Sequence, residues 1–145
     1  MIYESLRIRP PILGLFPKIV PDTGDTVLGQ RVPAETAICA NLSSLLRSEK
    51  IFEADADTFR PERFLQVDEV ARCGMQQAIE LSFGSGQWMC TGKNIALMEL
   101  YKVVFELFRA FDLQLIDPMK PCEVQSYGVF VEKGLRVDVR EDLNY

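Results

Sequence analysis

Between Lys93 and Phe111 the chain carries apolar side chains round almost the whole of a helix, with Glu99, Lys102, Glu106 and Arg109 confined to one narrow stripe. A helix patterned in this way is buried over most of its circumference, and the four charges form its solvated face. The remaining segments read as short strands and turns, which offer too little surface to cover it. The pattern therefore predicts that this chain is one part of a larger packed unit. Composition agrees with a folded protein: 48% of the 145 residues are apolar and 26% are charged, close to the globular average.

Composition also removes whole classes of chemistry. There is no histidine, which excludes a Ser-His-Asp triad and any imidazole metal ligand. Sixteen basic against 21 acidic residues give a net charge of -5, so no nucleic-acid partner is expected. No apolar run approaches the roughly 20 residues of a membrane helix, and Met1 to Arg7 has no basic-then-apolar leader pattern. Cys39, Cys73, Cys90 and Cys122 include no Cys-x-x-Cys pair, so reduced thiols in an intracellular protein are the expectation. Cys39 reads as strand-borne core packing, and Cys73 and Cys122 as loop-borne surface thiols. The Asn41-Leu42-Ser43 sequon is taken as chance.

Local signals give the order of elements. Residues 1–9 read as the last turns of a helix stopped by Pro10-Pro11. Ile12 to Val20 is apolar and extended. Thr26 to Val32 reads as a hairpin about Gly29-Gln30, Thr36 to Ala40 as a strand, and Asn41 to Ser48 as a short helix. Residues 48–77 show little periodicity and predict a loop-rich meander. Ser82 to Gly86 is a tight glycine loop leading to the long helix. A strand follows at Leu113 to Ile116. Tyr127–Glu132 and Leu135–Val139 then read as a hairpin about Lys133-Gly134. The fold class is α+β, with most of its helical partners elsewhere.

The segment from Phe83 to Ala96 carries the chemistry. Cys90 lies between the glycine loop and the first turn of the long helix, whose unpaired N–H groups and dipole favour thiolate over thiol. Gly86 and Gly92 carry no side chain, so a flat, bulky group can approach the sulfur from either side. An accessible thiolate in an apolar, glycine-walled setting beside Phe83 suits a soft or borderline metal. Two phosphate-loop readings fail: Gly84-x-Gly86 has Met89 at the third glycine position, and Gly92-Lys93 follows Gln87 where a Walker loop needs glycine.

With these residues in place, the segment resembles the cysteine-ligand loop of the cytochrome P450 haem-thiolate monooxygenases. The pattern Phe-x-x-Gly-x-Arg-x-Cys-x-Gly is met at Phe83, Gly86, Cys90 and Gly92, and broken at Trp88. Glu4-x-x-Arg7 and Pro61-Glu62-Arg63-Phe64 resemble two further family motifs, and Asp55-Ala56-Asp57 the usual lead-in to the second. The resemblance runs from Glu4 to about Arg140 and is closest to fungal members of the pisatin demethylase type.

The resemblance implies that residues 1–145 are a single partial domain, the C-terminal portion of the P450 fold. It implies haem b, an iron protoporphyrin IX, ligated by Cys90. Phe83, Gly84, Gly86, Trp88 and Gly92 would line the proximal side. Trp88 stands where an arginine usually meets a haem propionate, and Lys18 where a strand arginine does. Glu4, Arg7 and Arg63 would form a structural ion cluster, while Ile12 to Leu15 and Gly128 to Phe130 (chiefly Ile12, Leu13, Val129 and Phe130) would line the substrate space. The implied partners are a lipophilic small molecule, O2 and a reductase such as NADPH-cytochrome P450 reductase, and the parent enzyme would be anchored in the endoplasmic reticulum membrane. The oxygen-activating helix of the family has no counterpart here, so no catalytic residue is assigned. The competing expectation is a truncated remnant that does not hold haem; a zinc or iron–sulfur protein is disfavoured by the scattered cysteines.

Overall fold

The computed structural model describes residues 1–13, 16–120, 122–126 and 129–141. Helix α1 (Ile2–Ile8) opens the chain and ends before Pro10, because proline disfavours helical geometry in the residue before it. Strand β1 (Lys18–Ile19) pairs antiparallel with β4 (Ala37–Ile38). Between them β2 (Asp25–Val27) and β3 (Gln30–Val32) form a hairpin closed by Leu28 and Gly29. Both turn residues have positive φ, 49° and 79°, which matches the right-handed twist of the flanking strands. Helix α2 (Leu42–Leu46) is capped by the Asn41 side chain, which accepts from the Ser44 N–H. Cys39 is exposed just beyond β4, so it is not the core residue its strand-like context implied.

The meander contains more helix than its sequence announced. After α3 (Glu49–Phe52) and a 3-10 turn at Pro61–Phe64, helix α4 runs from Glu69 to Glu80. Asp68 caps it, accepting from the Ala71 N–H at 2.8 Å, and Cys73 therefore lies on a helix rather than in a loop. Only Met75, Ala78 and Ile79 of α4 are buried, an i, i+3, i+4 stripe too short to stand out among polar neighbours. These side chains join Leu6, Leu46, Phe52, Ala56 and Phe64 in the hydrophobic core. The core thus lies among α1, α2, α3, the 3-10 turn and α4.

Helix α5 (Lys93–Ala110) has the length expected. None of its residues is buried, and Ile95, Met98, Val103, Phe105 and Phe108 are largely exposed. Only Leu97 packs against the core cluster. The apolar circumference is therefore a surface that no described element covers, as expected of a helix patterned for burial among short strands too small to cover it.

The strand pairing at the C-terminal end also differs from expectation. Strand β5 (Phe111–Leu115) pairs antiparallel with β8 (Val137–Glu141), and β6 (Glu123–Ser126) with β7 (Phe130–Lys133). Lys133-Gly134 therefore does not close a hairpin. The alternation in β8 is real, but Val137 and Val139 stand opposite Leu115 and Leu113. Apolar cross-strand pairs of this kind stabilise a ladder, and periodicity alone does not name the partner strand. Tyr127 lies outside the described residues. Among the described residues no helix is long and apolar enough to cross a membrane.

Candidate functional site

The loop from Phe83 to Gly92 is closed on itself. After α4, a 3-10 turn (Leu81–Phe83) leads to Gly84, and a second (Gly86–Trp88) leads to Met89. The Cys90 N–H donates to the Phe83 carbonyl at 2.7 Å. Gly84 has φ +79°, and a Cβ there would lie 2.4 Å from the Trp88 carbonyl oxygen. Glycine is therefore required at position 84 by both conformation and space. Gly86 also has positive φ, with open space where a side chain would project. At Gly92 the nearest atom to an added Cβ is Cys90 Sγ, at 3.9 Å. Cys90 itself is exposed. The result is a thiol on an accessible, rigidly closed loop directly ahead of α5, with no side chain projecting at Gly86 or Gly92.

Two residues singled out from distant parts of the sequence meet beside this loop. The Lys18 ammonium, on β1, lies 4.1 Å from the centroid of the Trp88 ring. That is a cation–π contact, worth on the order of 0.5–1 kcal/mol at an exposed site. Trp88 brings an aromatic face where the family pattern has a guanidinium, and Lys18 brings a positive charge to the same place.

The two apolar segments also come together. Ile12 and Val129 form an isolated antiparallel bridge, and the Phe130 N–H donates to the Pro11 carbonyl at 3.2 Å. Ile12, Leu13 and Phe130 are partly buried and Val129 is half exposed. The Arg9 guanidinium stands over the Phe130 ring at 5.9 Å and reaches Glu132 at 3.5 Å. Leu15 and Gly128 lie outside the described residues.

Glu4, Arg7 and Arg63 form one buried cluster, each fully shielded from solvent. Arg7 donates Nε to Glu4 Oε2 at 2.9 Å and Nη2 to Glu4 Oε1 at 2.8 Å, a bidentate fork. Its remaining donors go to the carbonyls of Leu46, Ala56 and Thr58. Arg63 donates Nε to Glu4 Oε1 at 3.1 Å and its other N–H groups to Phe52, Asp55 and Thr58. All five N–H groups of each guanidinium are thus engaged. Burial pushes the Glu4 carboxyl up, but hydrogen bonds from Arg7, the Arg60 N–H and Arg63 outweigh it and hold it below the usual carboxylate range. Such a cluster contributes less net stability than fixed geometry. It ties α1 to the segment from Leu46 to Arg63.

Sequence reasoning missed the outer members of this network. Asp55 accepts from Arg63 and pairs with Arg60, whose backbone N–H donates to Glu4. Desolvation raises the Asp55 carboxyl, but Arg63 and Arg60 bring it below its ordinary value. The Asp55-Ala56-Asp57 lead-in was the available signal. A second group had no sequence signal at all. The Tyr3 hydroxyl donates to Glu80 Oε1 at 2.6 Å, and the Lys93 ammonium meets Glu80 Oε2 at 2.5 Å. Among the described residues no group of three or more His, Cys, Asp or Glu side chains could hold a metal ion. An iron bound by the single thiol of Cys90 would need its other donors from a macrocycle.

Comparison with known proteins gives the family context. The family model described as Cytochrome P450 matches residues 1–138. The chain is 56% identical over 141 residues to "Cytochrome P450 monooxygenase aba1" of Botryotinia fuckeliana, covering 97% of this chain and 28% of that protein. It is 57% identical over 137 residues to "Cytochrome P450 monooxygenase abl1" of Leptosphaeria maculans, covering 92% of this chain and 24% of that one. The fold is similar to a zebra fish cytochrome P450 solved with progesterone, at TM-score 0.77 and 23% identity over 97% of this chain and 30% of the other. It is also similar to the heme domain of a cytochrome P450DA mutant, at TM-score 0.74 and 19% identity over 97% of this chain and 31% of that one. The chain spans about a quarter of the length of these fungal relatives.

Proposed function

The chain belongs to the cytochrome P450 family, and from that premise we propose that it supplies the proximal half of a haem-thiolate monooxygenase, with Cys90 as the iron's protein ligand. The observation that carries this reading is the closed loop itself. It presents one exposed sulfur, backed by the bond from Cys90 N–H to Phe83 and by a glycine that a Cβ would force open. Residues 1–145 form, in this reading, one partial domain. The length missing relative to the fungal proteins supplies the cover for α5 and the distal side of the haem.

The residues fit haem b. The glycines at 86 and 92 leave the sulfur's surroundings free of side chains, while Phe83, Gly84 and Trp88 form the loop on which a macrocycle can lie. Lys18, held on the Trp88 face, supplies a positive charge for a propionate in place of the usual arginine. Bound haem supplies redox iron chemistry with O2, and a thiolate ligand donates electron density that favours O–O cleavage. The Glu4–Arg7–Arg63 cluster fixes α1 and the meander behind the loop. Ile12, Leu13, Val129 and Phe130 form an apolar wall suited to a lipophilic substrate. Electrons come from a reductase such as NADPH-cytochrome P450 reductase, and the complete enzyme is anchored at the endoplasmic reticulum membrane. The test is the carbon-monoxide difference spectrum of the complete reduced protein: a far-red-shifted Soret band is expected, with its loss in Cys90→Ala. A normal band in that variant overturns the assignment.

A further inference from the structure

Lys93 is the first residue of α5, three positions after Cys90, and its N–H donates to the Cys90 carbonyl at 3.3 Å. A cation there sits at the positive end of the helix dipole, where a charge of that sign is unfavourable. It is tolerated because Glu80, at the end of α4, meets its ammonium at 2.5 Å. Both side chains are largely shielded, 21% and 29% exposed. The second oxygen of the same carboxylate accepts the Tyr3 hydroxyl at 2.6 Å, and Tyr3 adjoins Glu4 on α1. The carboxylate is thus held from two sides, by Lys93 first and Tyr3 second, and both lower its proton affinity. One side chain joins three elements at the root of the Cys90 loop and balances the ammonium nearest to it in sequence.

We propose that Glu80 is a positioning residue for the Cys90 ligand: it clamps the first turn of α5 to α1 and neutralises the charge of Lys93, three positions along the chain from Cys90. The clamp and the charge are separable functions of one carboxylate. The inference rests on Cys90 being the iron's protein ligand. With the pair intact, the field at the sulfur is set by the helix and the closed loop. With Glu80 neutral, the unbalanced ammonium would add a positive field at the ligand loop, which would favour the more negative, reduced state of a bound haem. With Lys93 neutral, the remaining carboxylate does the reverse.

The test is a charge cycle in the complete haem-loaded protein, read by haem reduction potential alongside the carbon-monoxide spectrum. Glu80→Gln is expected to raise the potential, Lys93→Gln to lower it, and the double substitution to return it near the parent value. Tyr3→Phe removes the clamp without altering charge, so it should lower the unfolding midpoint and leave the potential unchanged. Glu80→Asp, which keeps the charge, is expected to stay near the parent potential even where Glu80→Gln folds poorly. Shifts of one sign in both single variants, or a double variant that does not return, overturn the proposal. Absence of a thiolate band in the parent would instead remove the haem assignment itself, and this inference with it.

Discussion

The ammonium of Lys18 lies 4.1 Å from the centre of the Trp88 ring, joining the first strand to the cysteine loop across about half of the chain. The aromatic face orients a charge that Trp88 cannot itself provide. Replacing Lys18 with Ala should therefore weaken haem retention more than replacing Trp88 with Phe, which keeps a ring face. Haem dissociation into an excess of an apo-acceptor globin measures this. Equal rates for the two variants would remove Lys18 from the propionate role.

Gly84→Ala should open the cysteine loop. The added Cβ would stand 2.4 Å from the Trp88 carbonyl at a positive φ, a combination of clash and backbone strain of the order of 1–3 kcal/mol or more. Gly86→Ala meets only the conformational cost, since its neighbourhood is open. Thermal unfolding and the thiolate haem spectrum should both rank Gly84→Ala as the more damaging change.

Glu4→Gln should be severely destabilising. It leaves Arg7 and Arg63, both fully buried, without their shared anion. Breaking a buried pair on one side costs about 3–5 kcal/mol, a large fraction of the stability of a typical domain. Chemical denaturation checks this, and a loss below about 1 kcal/mol would mean that the carbonyl cage alone satisfies the two guanidinium groups.

Acid and alkali should each destabilise through the Tyr3–Glu80–Lys93 group. Glu80 is held below its ordinary carboxylate value by Lys93 and then Tyr3. Its contribution is therefore present above the unfolded value of 4.5 and is lost as pH falls through the lower folded value. Tyr3 is shifted upward, first by burial and then by its bond to Glu80. Its contribution is complete below the unfolded value of 10.0 and declines as pH rises toward the folded one. Unfolding midpoints across pH should show that Tyr3→Phe flattens the alkaline limb, while Glu80→Gln weakens both limbs.

Carried by this chain alone, haem should bind weakly. Cys90 is exposed and the apolar side of α5 is uncovered, so water reaches the sulfur and the flank of any macrocycle resting on it. Titration of the purified chain with hemin, followed at the Soret band, is expected to give loose binding. Tight one-to-one uptake would contradict it.

The parts of this architecture that depend on near neighbours were legible before any coordinates. The end of α1 at Pro10, the β2–β3 hairpin (its turn one position earlier than expected, at Leu28-Gly29), the short helix after Asn41, the glycine loop and the extent of α5 all follow from residues a few positions apart. The parts that depend on distant partners were not. The alternation of Val137 and Val139 identified a strand, but its mate was β5, on the far side of two other strands. The apolar circumference of α5 identified a helix built for burial, whereas actual burial belongs to whatever packs on it. Helix α4 escaped notice because Met75, Ala78 and Ile79 are its only core contacts. At the candidate site, the motif residues Phe83 to Gly92 share one loop closed by the bond from the Cys90 N–H to the Phe83 carbonyl. Glu80 and Lys93, thirteen positions apart on either side of a loop, looked like ordinary surface charges until their contact was seen.

The bridge between Ile12 and Val129 has a consequence for inheritance among such enzymes. Two apolar stretches from opposite ends of this chain share one backbone link, so a chimaera that grafts either stretch alone from a relative would import half of a matched seam. The exchangeable module is the pair, transplanted together, and, if the two stretches line the substrate space as proposed, selection for a new substrate would edit both in concert.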